Sequence, residues 1–228
     1  MASTYTDLGI ELMATGENAG TWGTKTNNNL NLIEQLTGGF ATLSIAGGAG
    51  TQALDIDNGA LTGTAQQRII EFTGSITGNR IITIPNDVET FYILKNSTSG
   101  AYTVQFKYAT GSGSSTTFSA TDKGIKTVYA SANDGTNPDI VDVMANSSEI
   151  SLANNNPIKF NDADNSAFVG IDAPATVSGS YTLTLPAAVG SASQALVTTD
   201  GAGTLGFTST STFGISTGKA IAMAIVFG

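Results

Sequence analysis

The residues best suited to chemistry are carboxylates set among glycines and amides. Asp55-Ile-Asp57-Asn58-Gly59 opens like a calcium loop. The full pattern requires a third oxygen ligand where Gly59 sits and a glutamate where Gln66 sits, so it fails twice and reads as a turn. Asn161-Asp-Ala-Asp-Asn165 gathers Asp162 and Asp164 with amides, which reads as a solvated loop able to hold a hard cation only weakly. A glycan-cleaving pair would need two carboxylates facing each other across a groove. Among 18 Asp and Glu nothing singles out two. Gly47-Gly-Ala-Gly50 lacks the lysine of a phosphate loop. Asn96-Ser-Thr98 and Asn146-Ser-Ser148 match the glycosylation sequon, but no positively charged start with an apolar run marks the N-terminus for secretion.

Two absences narrow the chemistry further. The 228-residue chain has no cysteine and no histidine. Thiolate nucleophiles, disulfides and Cys-based zinc sites are excluded, and so is the usual base near neutral pH. No catalytic constellation is expected, hence no enzyme, no catalytic residue, no metal site and no cofactor.

Charge removes other classes. Net charge is −9, with 9 basic residues against 18 acidic ones. Phosphate neutralisation needs a basic stripe, so no nucleic acid is expected as a partner. The longest apolar run, 220–227, falls far short of the roughly 20 residues that span a bilayer, so no membrane insertion is expected. Only 12% of the chain is charged and 27 residues are glycine, which suits short strands joined by many turns.

A ten-residue pattern occurs twice and sets the architecture. Residues 76–85 read Ile-Thr-Gly-Asn-Arg-Ile-Ile-Thr-Ile-Pro and residues 177–186 read Val-Ser-Gly-Ser-Tyr-Thr-Leu-Thr-Leu-Pro. Each predicts a polar turn, then an alternating strand ended by proline. Further strands are expected at 53–56, 69–72, 80–84, 91–95, 102–108, 126–130 and 140–144, a spacing that fits a small sandwich or jelly roll. A looser module follows, with strands at 150–152, 158–160, 168–171, 181–185, 194–198 and 204–207. Its aliphatics are too sparse to close a core alone, which sharing between chains would remedy.

Residues 1–40 stand apart. A turn-rich lead-in carries the only tryptophan, Trp22, and 24–36 reads as a short helix. A residue between Thr24 and Asn27 would cap it, Leu30, Ile33 and Leu36 lie on adjoining turns with Leu32 beside them, and Gly38 would stop it. Three successive asparagines are poor helix formers, so the helix needs a surface to lie on. Trp22 either packs under its own turn or anchors the helix to a partner. At the other end, 220–227 alternates large and small residues and is apolar on both faces, so it must be covered on both. Ile221, Met223, Ile225 and Phe227 are the expected subunit interface. The expected organisation is 1–40 as a docking segment, 41–145 as the first β-module, 146–211 as the second and 212–228 as an apolar strand.

These segments carry a resemblance. Gly16-Glu-Asn-Ala-Gly-Thr-Trp-Gly-Thr-Lys-Thr-Asn-Asn-Asn-Leu-Asn-Leu-Ile-Glu34 resembles the N-terminal segment of many bacteriophage tail-fibre and related virion proteins. Phe91-Tyr-Ile-Leu-Lys-Asn96, Tyr102-Thr-Val-Gln-Phe-Lys107 and Asp134-Gly-Thr-Asn137 resemble the small β-module that follows there. Tyr181-Thr-Leu-Thr-Leu-Pro186 with Gln194-Ala-Leu-Val-Thr-Thr-Asp-Gly-Ala-Gly-Thr204 is similar to a fibre-shaft module. Gly218-Lys-Ala-Ile-Ala-Met-Ala-Ile-Val-Phe-Gly228 is similar to endings of marine-phage structural proteins.

The resemblance implies a homotrimeric tail fibre or fibre-like adaptor, assembled in the host cytoplasm and residing on the virion. Trp22, Leu30, Ile33 and Leu36 would dock it on other tail or head proteins. With no long variable tip after the second module, an adaptor is favoured over a receptor-binding fibre. A head fibre or capsid decoration protein needs the same modules. A carbohydrate-binding module would use Tyr92, Tyr102, Tyr108 or Tyr181 to stack on a host-surface glycan.

Overall fold

A computed structural model describes residues 2–152 and 156–213. The chain is mainly β, with one α-helix among the described residues. It opens with a ribbon of β1 (Thr4–Tyr5) and β2 (Glu11–Leu12), then helix α1 (Trp22–Gly38). Next come β3 (Phe40–Ser44), β4 (Gly50–Ala53), β5 (Ile69–Thr73), β6 (Arg80–Ile84), β7 (Thr90–Asn96) and β8 (Val104–Tyr108). β9 (Thr116–Phe118), β10 (Ile125–Ala130) and β11 (Ile140–Asp142) complete a first unit, Met1–Ile150. The second unit, Ser151–Gly228, contains β12 (Ile158–Asn161), β13 (Phe168–Ile171), β14 (Gln194–Thr198), β15 (Leu205–Ser209) and a short 3-10 turn at Thr210–Phe213.

The first unit is a two-layer sandwich. One sheet has the order β11-β10-β7-β5-β3 and the other β4-β6-β8-β9. Successive strands from β3 to β8 alternate between the sheets, and each pairs in parallel with the strand two places on. The chain therefore winds as stacked coils. Hydrogen bonds continue around the corners, from Gly47 N to Ser75 O at 3.0 Å and from Ser99 N to Gly74 O at 3.0 Å. Gly78 is at one such corner because a Cβ there would strike the backbone nitrogen of Ala49. Parallel coils distinguish this sandwich from a jelly roll, whose strands run antiparallel. Period-two alternation is the same beside either kind of neighbour, so the sequence could not choose between them.

The core lies between the layers. Ile70, Phe72, Tyr92, Leu94 and Val128 meet Ile82, Ile84, Val104, Phe106 and Phe118 in one buried cluster. The Tyr92 ring stands edge-on to Phe106, centroids 5.5 Å apart. Its hydroxyl donates to Ala65 O at 2.8 Å, so the buried polar tip is satisfied.

Residues 1–40 are bonded into this unit rather than standing apart from it. Gly59 N donates to Gly9 O at 2.8 Å, and Gln66 Nε2 donates to Leu8 O at 3.0 Å. Strand β4 occupies 50–53, ahead of the expected 53–56, and β3 and β9 were missed.

The second unit departs further from expectation. Its described residues form two separate hairpins, β12–β13 and β14–β15, and none of residues 156–212 is buried. No strand forms at 150–152, and 181–185 gives only an isolated bridge from Thr184 to Thr204. The repeated pattern thus has two fates. Residues 80–84 form a strand because β4 and β8 flank them, while the copy at 177–186 has one bridge, on one side, and is largely exposed.

Candidate functional site

The Trp-Gly turn is built by residues that accept a left-handed backbone. Asn18 has φ 61°, between Gly16 at 84° and Gly20 at 83°. The carbonyl of Asn18 accepts Thr21 N at 2.9 Å and Trp22 N at 2.8 Å, which starts the helix. Thr21 is the N-cap and makes no side-chain capping bond, so the residues expected to cap, Thr24 to Asn27, lie inside the helix. Gly38 is the last helical residue. The following Gly39 is extended and leads directly into β3, where its close approach to Gln35 leaves no space for a Cβ.

One face of α1 is tied to its own unit. Leu32 and Leu36 are buried. Asn29 bonds both backbone groups of Glu11, accepting from its N–H at 2.9 Å and donating to its carbonyl at 2.8 Å. Asn28 Nδ2 donates to Gly59 O and Gln35 Nε2 to Leu61 O, both at 3.3 Å. The asparagines that weaken the helix are its tethers. Glu11 holds the centre: its carboxylate pairs with Lys25 Nζ at 2.9 Å and accepts from Asn18 Nδ2 at 3.1 Å.

The flank beside that face is apolar and open. Trp22, Leu30 and Ile33 are 65%, 58% and 46% exposed. At about 100° per residue they fall within about 80° of one another, so they share one stripe. Leu36, expected on the docking face, turns inward instead. Phe40, just past the helix, is also exposed. The assigned interface residues Ile221, Met223, Ile225 and Phe227 lie outside the described residues.

Charge fixes the pH range of this tether. The Lys25 ammonium holds the Glu11 carboxyl below its ordinary value of 4.5, and Glu11 in turn raises Lys25 above 10.5. A depressed acid contributes stability that is complete above its unfolded pKa and lost as pH falls through the folded one. A raised base contributes below its unfolded pKa and loses this as pH rises through the folded one. Trp22 fluorescence is therefore expected to report helix detachment below about pH 4, not between pH 6 and 9. In Lys25→Met that acid transition should shift to higher pH; no shift would exclude the pair as the tether.

No family model matches this chain. No curated protein and no solved structure matches it either.

The other candidates are engaged internally. Asp55 accepts from Thr64 N at 3.0 Å and Asp57 from Thr62 Oγ1 at 2.5 Å, so both carboxylates brace their own loop. Asp162 accepts from Ser166 Oγ at 3.2 Å and Asp164 from Ser166 N at 3.0 Å, within the β12–β13 turn. Asn96 is buried and donates to Asp122 O at 2.8 Å, so this sequon cannot be modified in the folded chain. Tyr92 and Tyr108 are buried, which removes them as glycan platforms. Tyr102 and Tyr181 are exposed but sit in different units.

The sequence reading missed one apolar surface. On the outer face of the five-stranded sheet, Phe40 aligns with Ile69 and Ile93, and Phe91 with Tyr129 and Val141. Glu71 and Lys95, paired at 2.8 Å, border this belt. The signal was present in Phe91-Tyr-Ile-Leu94, which is apolar at both parities as 220–227 is.

Proposed function

We propose that this chain is a structural component of a phage virion, a homotrimeric tail fibre or fibre-like adaptor. Its partners would be its own copies and other tail or head proteins. One observation carries this reading: the stripe of Trp22, Leu30 and Ile33 faces outward from a helix that Asn28, Asn29, Gln35 and Lys25 hold on a folded unit. A pre-positioned apolar stripe with an aromatic anchor suits docking, since little ordering cost remains at binding. No helix among the described residues is long and apolar enough to cross a membrane.

The triple variant Trp22→Ser, Leu30→Ser, Ile33→Ser tests it. At about 25 cal/mol per Å², losing this stripe removes on the order of several kcal/mol of docking energy. Particles assembled with the variant are expected to lack the labelled chain in electron micrographs, although the variant keeps its circular dichroism. Particles that retain it overturn the docking role. Label on the wild-type tail supports the tail reading, and label on the head replaces it with a head fibre or decoration protein.

A further inference from the structure

The stacked coils end differently at their two sides. At one side β11 carries Asp142, ion-paired to Lys126 at 3.0 Å, with Asp139 just before it. Charges on an edge strand oppose pairing with foreign strands. At the other side β3 and β4 are the outermost strands of their sheets. From Phe40 to Ala53 there is no charged residue and no proline.

Among the described residues no strand pairs with the outer edge of β3. Ile69 N donates to Gly39 O, and Ile45 N donates to Thr73 O, both at 2.9 Å. Parallel pairing alternates, so Ala41 and Leu43 turn their backbone groups to β5. The N–H and C=O groups of Phe40, Thr42 and Ser44 therefore point off the sheet, and all three residues are exposed. A strand added here would find apolar neighbours at both parities. Its inner side chains would continue the row of Leu43 and the buried Ile45, and its outer ones the belt of Phe40, Ile69 and Ile93.

The chain has a segment of that description. Residues 220–227, Ala-Ile-Ala-Met-Ala-Ile-Val-Phe, are uncharged, long enough to lie along β3, and apolar at both parities. They belong to the chain outside the described residues. A protein of net charge −9 meets its own copy at least electrostatic cost where both surfaces are neutral, as these are.

We infer that the open β3 edge is the seat of residues 220–227 from a neighbouring copy of this chain, joined by strand addition. This rests on the self-assembling part of the function proposed above. It adds which surface receives the segment and why the β3 edge, unlike that of β11, carries no charge.

The absence of native cysteine makes the test clean. Full-length Thr42→Cys is mixed and reassembled with full-length Ala224→Cys, and with Ala222→Cys to allow for register. Mild oxidation is expected to give an interchain disulfide joining residue 42 to 222 or 224, read by mass spectrometry. Its yield should exceed by about tenfold that of the same partners with Thr117→Cys on β9, about 1.4 kcal/mol of preference. Thr42→Lys, which charges the edge without touching the core, should weaken assembly by about tenfold or more while unit 1 keeps its spectrum. Absence of the disulfide in a protein that still sediments as a trimer overturns the edge pairing and leaves assembly standing. A full-length monomer overturns both. A disulfide found only within one chain carrying both cysteines overturns supply by a neighbour.

Discussion

Phe72→Ala is expected to lower the stability of the first unit by about 3–5 kcal/mol. Phe72 lies in β5 with no exposed surface, and its strand is flanked by β3 and β7. It contacts the cluster that both sheets share, so its removal leaves a cavity between layers that parallel coils cannot close by sliding. Any slide would break the corner bonds around Gly47 and Ser99 as well as the strands. A domain of this size holds about 5–15 kcal/mol in all, so the loss is a large share. Urea unfolding should show a lower midpoint with an unchanged slope. Phe91→Ala is the comparison: that ring is partly exposed on the outer face of the same sheet and should cost less than about 1 kcal/mol in the isolated unit. Equal costs would mean the two faces of the sheet have been assigned the wrong way round.

The sequence revealed strands better than their arrangement, and the reason is physical. Arg80–Ile84, Phe168–Ile171 and Gln194–Thr198 occur where alternation placed them, because a pleated strand shows its period whatever lies beside it. Phe40–Ser44 was missed: it follows a helix by one glycine, and its Phe-Ala-Thr-Leu-Ser run holds only two large apolar residues. The pattern at 181–185 was over-read, since alternation is necessary for a half-buried strand but does not supply the neighbour that makes one. At the candidate site, spacing placed Leu30 and Ile33 on the helix but left Trp22 in the lead-in, whereas the helix begins at Trp22. Spacing could not show that Leu32 and Leu36 would take the inner face, because asparagine side chains rather than apolar periodicity decide which side lies down.

The second unit turns burial into a solution measurement. None of residues 156–212 is buried, while Phe160, Phe168, Val169, Ile171, Leu183 and Leu185 are all exposed. An isolated two-stranded hairpin is marginal in water, and two hairpins without a shared core are hardly better. In the proposed assembly companions cover those side chains, and companions make stability depend on concentration. Full-length protein is therefore expected to unfold in two transitions. Unit 1, with its own core, melts at one temperature at every concentration. The transition of unit 2 rises with concentration: for a trimer each tenfold step adds about 2.7 kcal/mol per three chains, two factors of about 1.4. At about 4–8 °C per kcal/mol for a domain of this size, and about a third of that energy per chain, the shift is several degrees per decade. Scanning calorimetry at several concentrations separates the two, and sedimentation gives the stoichiometry. A second transition that stays fixed, in a chain sedimenting as a compact monomer, would mean that those exposed side chains need no cover and that assembly is not what this unit is built for.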